Sequence, residues 1–126
     1  MKPPCMVMVR LIIPSIRVEV AKKLIREYGL SQTEVADRLK VTRAAVSQYL
    51  KGVRGEHEIK FLRKSKKVKK AVEKLVKELT KEEPETSLVL KNLCELCKTI
   101  RKEKLVCDYC KREMPELERI KCRLCC

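Results

Sequence analysis

A chain of 126 residues with 3% aromatic side chains and no Trp has room for one small domain and an accessory module, which excludes a two-lobed enzyme. Its apolar surface must come from Leu, Val, Ile and Ala, a composition better suited to packed helices than to a β-sandwich. With 31 Lys and Arg against 17 Asp and Glu, the formal net charge is +14, which points to a polyanionic partner: nucleic acid first, an anionic membrane surface second.

The start pairs Lys2 with an apolar stretch in the manner of a signal peptide, but Arg10 interrupts it and no small-residue cleavage site follows. Two readings of the segment before Ile16 stand. Pro3 and Pro4 can start a helix at Cys5 that kinks at Pro14, or residues 7–13 can form a strand; the helix is preferred. Val18, Ala21, Leu24 and Ile25 then recur at helical spacing and predict a helix over 16–28, closed by Gly29. Ser31 with Glu34 three residues on is a capping-box pattern, opening a second helix with Val35, Ala36 and Leu39 inward. Thr42 is a good N-cap for a third helix over 43–50, whose apolar face is Val46, Tyr49 and Leu50; Gly52 and Gly55 end it.

Residues 57–81 contain no Gly or Pro and predict one long amphipathic helix. Val68, Val72, Leu75 and Leu79 follow heptad spacing, so this stripe either packs on its own chain or joins two copies. The lysines on its other faces either run beside a nucleic-acid backbone or form a solvated surface, and the solvated reading is preferred. By composition the chain divides into residues 1–55, 56–86 and 87–126. No apolar run is long enough to span a bilayer. Only Asn92, Gln32 and Gln48 carry side-chain amides amid abundant Lys and Glu, a balance that suggests a heat-adapted source.

In the segment LSQTEVADRLKVTRAAVSQYLKG, a small residue at Ala36 lets two helices cross closely, and Val41 and Val46 fill the angle between them. The third helix is then free to project its first turn, and a helix of this width fits the major groove of B-DNA. Ser31-Gln32, Val35-Ala36, Leu39, Val46-Ser47-Gln48, Leu50 and Gly52 together resemble the helix-turn-helix of the phage lambda repressor and Cro type, the XRE family, over roughly residues 16 to 55. One position departs from it: the turn residue, usually Gly, is Lys40, so either a positive φ there costs about 1 kcal/mol or the turn differs. More loosely, the Pro-Cys start, the Pro14–Arg17 segment and the cysteine-rich tail resemble a group of archaeal predicted transcriptional regulators.

The resemblance implies roles. Gln32 would bond a phosphate and brace the recognition helix, while Arg43, Ala44, Ser47 and Gln48 would face the bases. Arg43 can pair with guanine O6/N7, Gln48 with adenine N6/N7, and Ala44 can pack on a thymine methyl. Thr42 and Lys51 would touch phosphates and set register. Tyr49, one turn from Val46, reads as core.

Seven of the eight cysteines lie after residue 93. Six form the pairs Cys94/Cys97, Cys107/Cys110 and Cys122/Cys125, each Cys-x-x-Cys, with Cys126 and Cys5 left over. Such pairs read as knuckles that present two thiolates each, and two knuckles complete a tetrahedral site. Zinc is the preferred occupant, followed by an iron–sulfur cluster, with disulfides or unliganded thiols the remaining readings. Spacing favours the first two pairs as one site, but the final pair would anchor the chain end better. The site is a structural clip or, with its surplus thiols, a sensor of metal or oxidation.

An enzyme is not expected. His57, the single histidine, has no partner for a triad or a deaminase motif, and there is no phosphate-binding glycine loop. The sequence therefore predicts an all-α cytoplasmic chain: a helix-turn-helix domain, a long basic helix and a small metal-binding module. It would regulate transcription as a homodimer on double-stranded DNA, with no membrane and no small-molecule substrate. The alternatives are an adaptor whose zinc module docks a protein, with weak or architectural DNA binding, and a thiol redox or iron–sulfur sensor.

Overall fold

Pro14 decides how the chain begins. It has no N–H to give the turn before it, and its ring crowds that turn. The computed structural model, which describes residues 4–51, 64–120 and 122 (leaving aside the side chains of Pro4, Cys5 and Glu118), answers with a widened turn. α1 (Pro4–Val7) passes through a π-helical segment (Met8–Ile12) directly into α2 (Ile13–Arg26). The Ile13 N–H reaches back five residues to the Met8 carbonyl, and the Ser15 hydroxyl donates to the Leu11 carbonyl at 2.8 Å. The break is absorbed without ending the helix. The helical reading of this segment stands and the strand reading is overturned.

Gly29, at φ +71, closes α2, where the Leu30 N–H turns back to the Leu24 carbonyl at 3.1 Å. α3 (Gln32–Leu39) opens with a reciprocal capping box. The Ser31 hydroxyl accepts the Glu34 N–H at 3.1 Å, and the Glu34 carboxylate accepts the Ser31 N–H at 3.3 Å, satisfying two of the four N–H groups a helix start leaves unpaired. α4 (Arg43–Leu50) follows, and α2, α3 and α4 pack against one another.

The long basic helix is shorter than its pattern suggested. α5 runs over Lys66–Leu79, and Ser65, extended at φ −100 and ψ 127, caps it by accepting the Val68 N–H. A serine able to bond the N–H three residues on favours a cap over a helix interior. The expected continuity from His57 is therefore corrected at Ser65, while residues 52–63, including Gly52, Gly55, His57 and Phe61, lie outside the described residues. α6 (Thr86–Lys102) packs on α5, and α7 (Cys107–Glu113) and α8 (Glu116–Arg119) complete the described elements, among which there is no strand.

These elements share one apolar cluster. Ile12, Ile16 and Leu24 meet Val35 and Val46 of the paired short helices, Val68, Val76 and Leu79 of α5, and Leu96, Ile100, Val106 and Leu117 beyond it. Burying each such side chain contributes about 1.5–3 kcal/mol, so the cysteine-rich part draws apolar burial from the shared core. The Val68, Val72, Leu75 and Leu79 stripe is at most 4% exposed. It packs on its own chain, which removes it as a surface for joining two copies.

Two polar contacts tie the parts together. Lys23 of α2 is paired with Glu73 of α5. Burial by itself would lower the Lys23 ammonium, but its hydrogen bond to Glu73 and the charges of Glu73, Glu27 and Glu19 leave it raised. At the end of α5, the Glu78 carboxylate accepts from Lys81 Nζ at 2.6 Å and from the Glu85 N–H at 3.1 Å, which hold it below the ordinary carboxylate value of about 4.5. A depressed acid contributes stability above its unfolded value and loses it as pH falls through the folded one. Acid unfolding followed by circular dichroism is expected to show Glu78→Gln less stable near neutral pH, but with a shallower decline below about pH 4.5.

Candidate nucleic-acid interface

The reading surface is built from two caps and one strained residue. Val41 N–H bonds the Ala36 carbonyl at 3.0 Å, and Lys40 N–H bonds the Asp37 carbonyl at 3.3 Å, the paired bonds that close a helix through a left-handed residue. That residue is Lys40, at φ 56 and ψ 43. The sequence left open whether this position takes a positive φ, and it does. A side chain in this conformation costs about 1–2 kcal/mol, which the turn retains because it sets the start of α4. Lys40→Gly is expected to raise stability by about 1 kcal/mol in denaturant unfolding; an unchanged or lower midpoint would contradict the strain.

Thr42 is the N-cap of α4, and its hydroxyl accepts the Ala45 N–H at 3.1 Å. From there the helical period separates two faces. Val46 is fully buried, with Ala45, Tyr49 and Leu50 half-buried around it. Arg43, Ala44 and Gln48 are exposed, as are Thr42 before them and Lys51 after them, while Ser47 is half-buried. Positions 43, 44, 47, 48 and 51 fall on one stripe because 43 and 47, 44 and 48, and 47 and 51 are each about one turn apart. The side chains of Arg43, Gln48 and Lys51 have no hydrogen-bond or ion-pair partner among the described residues. Gln32, half-buried at the first position of α3, sits on the other short helix.

Residues 18–56 match the family model described as Helix-turn-helix. Within that match the described residues 18–51 form a helix-turn-helix of the lambda repressor and Cro type. A unit of this kind supports a DNA-binding regulator, and here its second helix presents a stripe whose exposed polar side chains have no partner among the described residues. No curated protein and no solved structure matches the chain.

The sequence reading did not assign two cations that the structure places at this unit. Lys40 is exposed two residues before the Thr42 cap; the departure from Gly was the signal for it. Arg38 is held by α5: its Nη1 donates to the Leu79 carbonyl at 2.8 Å and also to the Lys81 carbonyl. A guanidinium at the end of α5 satisfies carbonyls the helix leaves open and complements its dipole. No short-range pattern could reveal that contact, which joins residues 41 and 43 positions apart.

The cysteines take a different form from the expected knuckles. Cys94 and Cys97 lie one turn apart within α6, and Cys107 and Cys110 lie one turn apart in α7. Cys94 is exposed, Cys97 and Cys107 half-buried, and Cys110 buried. None of these, nor Cys122, is in a disulfide, and Cys125 and Cys126 lie outside the described residues. Burial, with help from neighbouring Cys94, pushes the Cys97 thiol up against the opposing pull of Arg101. Among the described residues no three Cys, His, Asp or Glu side chains gather where a metal ion could sit, and no helix is long and apolar enough to cross a membrane.

Proposed function

We propose that this chain is a cytoplasmic, sequence-specific transcriptional regulator that reads the major groove with residues 42–50. The observation that carries this is the exposed stripe of Arg43, Ala44 and Gln48, without side-chain partners among the described residues, on the second helix of a helix-turn-helix. In this reading Arg43 pairs with a guanine, Gln48 with an adenine, and Ala44 and Ser47 complete the base-facing row. Gln32, Thr42 and Lys51 hold phosphates and fix register. Two copies act together, because one recognition helix reads only a few base pairs, and two about 34 Å apart multiply their selectivity. Selection from a random duplex pool tests this. A palindromic or repeated motif is expected to emerge; a pool that enriches no motif contradicts it and favours an architectural adaptor.

The cysteine pairs are proposed as a metal centre that forms by bringing pairs together on zinc, since each helical pair sets two thiols one turn apart. The spacing of the pairs supports this. Elemental analysis and visible absorption of freshly purified protein decide it. Stoichiometric colourless zinc is the expected result, a brown chromophore would indicate an iron–sulfur cluster, and metal-free protein removes the centre.

A further inference from the structure

Between the helix-turn-helix and the α5–α6 hairpin lies a cavity of about 310 Å³. Ile16 and Val20 of α2, Leu39 of α3, Leu79 of α5 and Val89 and Leu93 of α6 supply its apolar wall. Leu39, Val89 and Leu93 are only half-buried, and Leu90, which also lines the cavity, keeps 55% of its surface exposed. Keeping such surface wet costs about 25 cal/mol per Å², so an apolar occupant is favoured. The charge around it is mostly positive. Arg17 and Lys40 line the same cavity, both are exposed, and neither side chain has a hydrogen-bond or ion-pair partner among the described residues. Arg38 holds the Leu79 and Lys81 carbonyls, and Asp37 is the single acid in the lining.

The geometry points to a binding site for a small apolar anion: a hydrocarbon carboxylate whose chain fills the cavity and whose head group pairs with Arg17 and Lys40. The volume lies at the low end for small-molecule sites, and an apolar wall with a few convergent polar groups is their usual composition. A second copy of the chain is a poorer occupant here, because a two-fold contact places the same patch on both partners and would set Arg17, Arg38 and Lys40 of each against those of the other. The neighbouring polar cavity beside Lys69 and Glu73 offers no comparable site, since Lys23 there is already paired with Glu73. An occupant would touch the Asp37–Lys40 turn that leads into α4, yet the site does not rest on the reading of DNA.

Calorimetric titration of the full chain with octanoate, octanol and octylamine tests it. Octanoate is expected to bind at least about tenfold more tightly than octanol, since it adds a charge-assisted contact, and octylamine most weakly. Leu90→Trp, at an already exposed position, is expected to abolish octanoate binding while leaving the thermal midpoint in place. Arg17→Gln should reduce octanoate to the affinity of octanol, and it keeps the test decisive if the tryptophan variant fails to fold. Equal binding of octanoate and octanol by the parent chain, no binding of either, or Arg17→Gln retaining full octanoate affinity would overturn the site.

Discussion

Arg43→Ala is expected to weaken binding to the selected duplex by about 1–3 kcal/mol, roughly fivefold to 150-fold, and to relax discrimination at one base pair. Arg43 stands at the first position of α4, its side chain exposed and without a partner among the described residues, so truncating it breaks no hydrogen bond or ion pair with them. Its guanidinium can lie flat against two acceptors of one guanine, a geometry that a water or a lysine reproduces poorly. Lys51→Ala is the matched control. A phosphate contact carries no sequence information, so this variant should weaken all duplexes alike and reduce the salt dependence by about one counterion. Fluorescence anisotropy on selected and scrambled duplexes at several salt concentrations separates the two. Equal losses for Arg43→Ala on both duplexes would remove it from base reading.

The second large effect concerns the frame behind that surface. Leu24→Ala is expected to cost about 2–5 kcal/mol in denaturant unfolding, the range for a large buried side chain whose neighbours only partly close the gap. Leu24 is fully buried within the shared cluster that contains Val35 and Val46 of the two short helices, and its carbonyl receives the Leu30 N–H after Gly29. The same substitution at a surface position of α2, such as Arg26→Ala, should stay within about 0.5 kcal/mol. A small loss at Leu24 would mean that α2 is not the support on which the reading helices rest.

Local signals were legible where the physics is local. The Ser31 and Thr42 caps, the Gly29 stop and the inward positions Val35, Ala36 and Val46 follow from periodicity and from hydrogen bonds spanning three or four residues, and the structure has them all. The exposed row of Arg43, Ala44 and Gln48 follows from the same period. What could not be read was long-range or balanced between opposing terms. The heptad stripe on α5 is compatible with packing inside or outside the chain, and only the presence of α2 and α6 decides for the inside. Ser65 ends a run that composition alone allows to continue, because a serine cap competes with helix interior by a small margin. The Arg38 contact to the end of α5 depends on chain topology. For the cysteines, spacing specifies pairs but not whether the pairs meet, and helical pairs in α6 and α7 differ from loop knuckles because their backbone is already satisfied.

The most direct test follows the backbone amides of the isotopically labelled chain while a duplex from the selected pool is added. If α4 enters the groove, the largest shifts are expected at Thr42, Arg43, Ala44, Ser47 and Gln48, with smaller ones at Gln32 and Lys51. Shifts confined to the lysines of α5, with residues 42–48 unmoved, would contradict reading by this helix and leave the chain as a basic surface that holds DNA without regard to sequence.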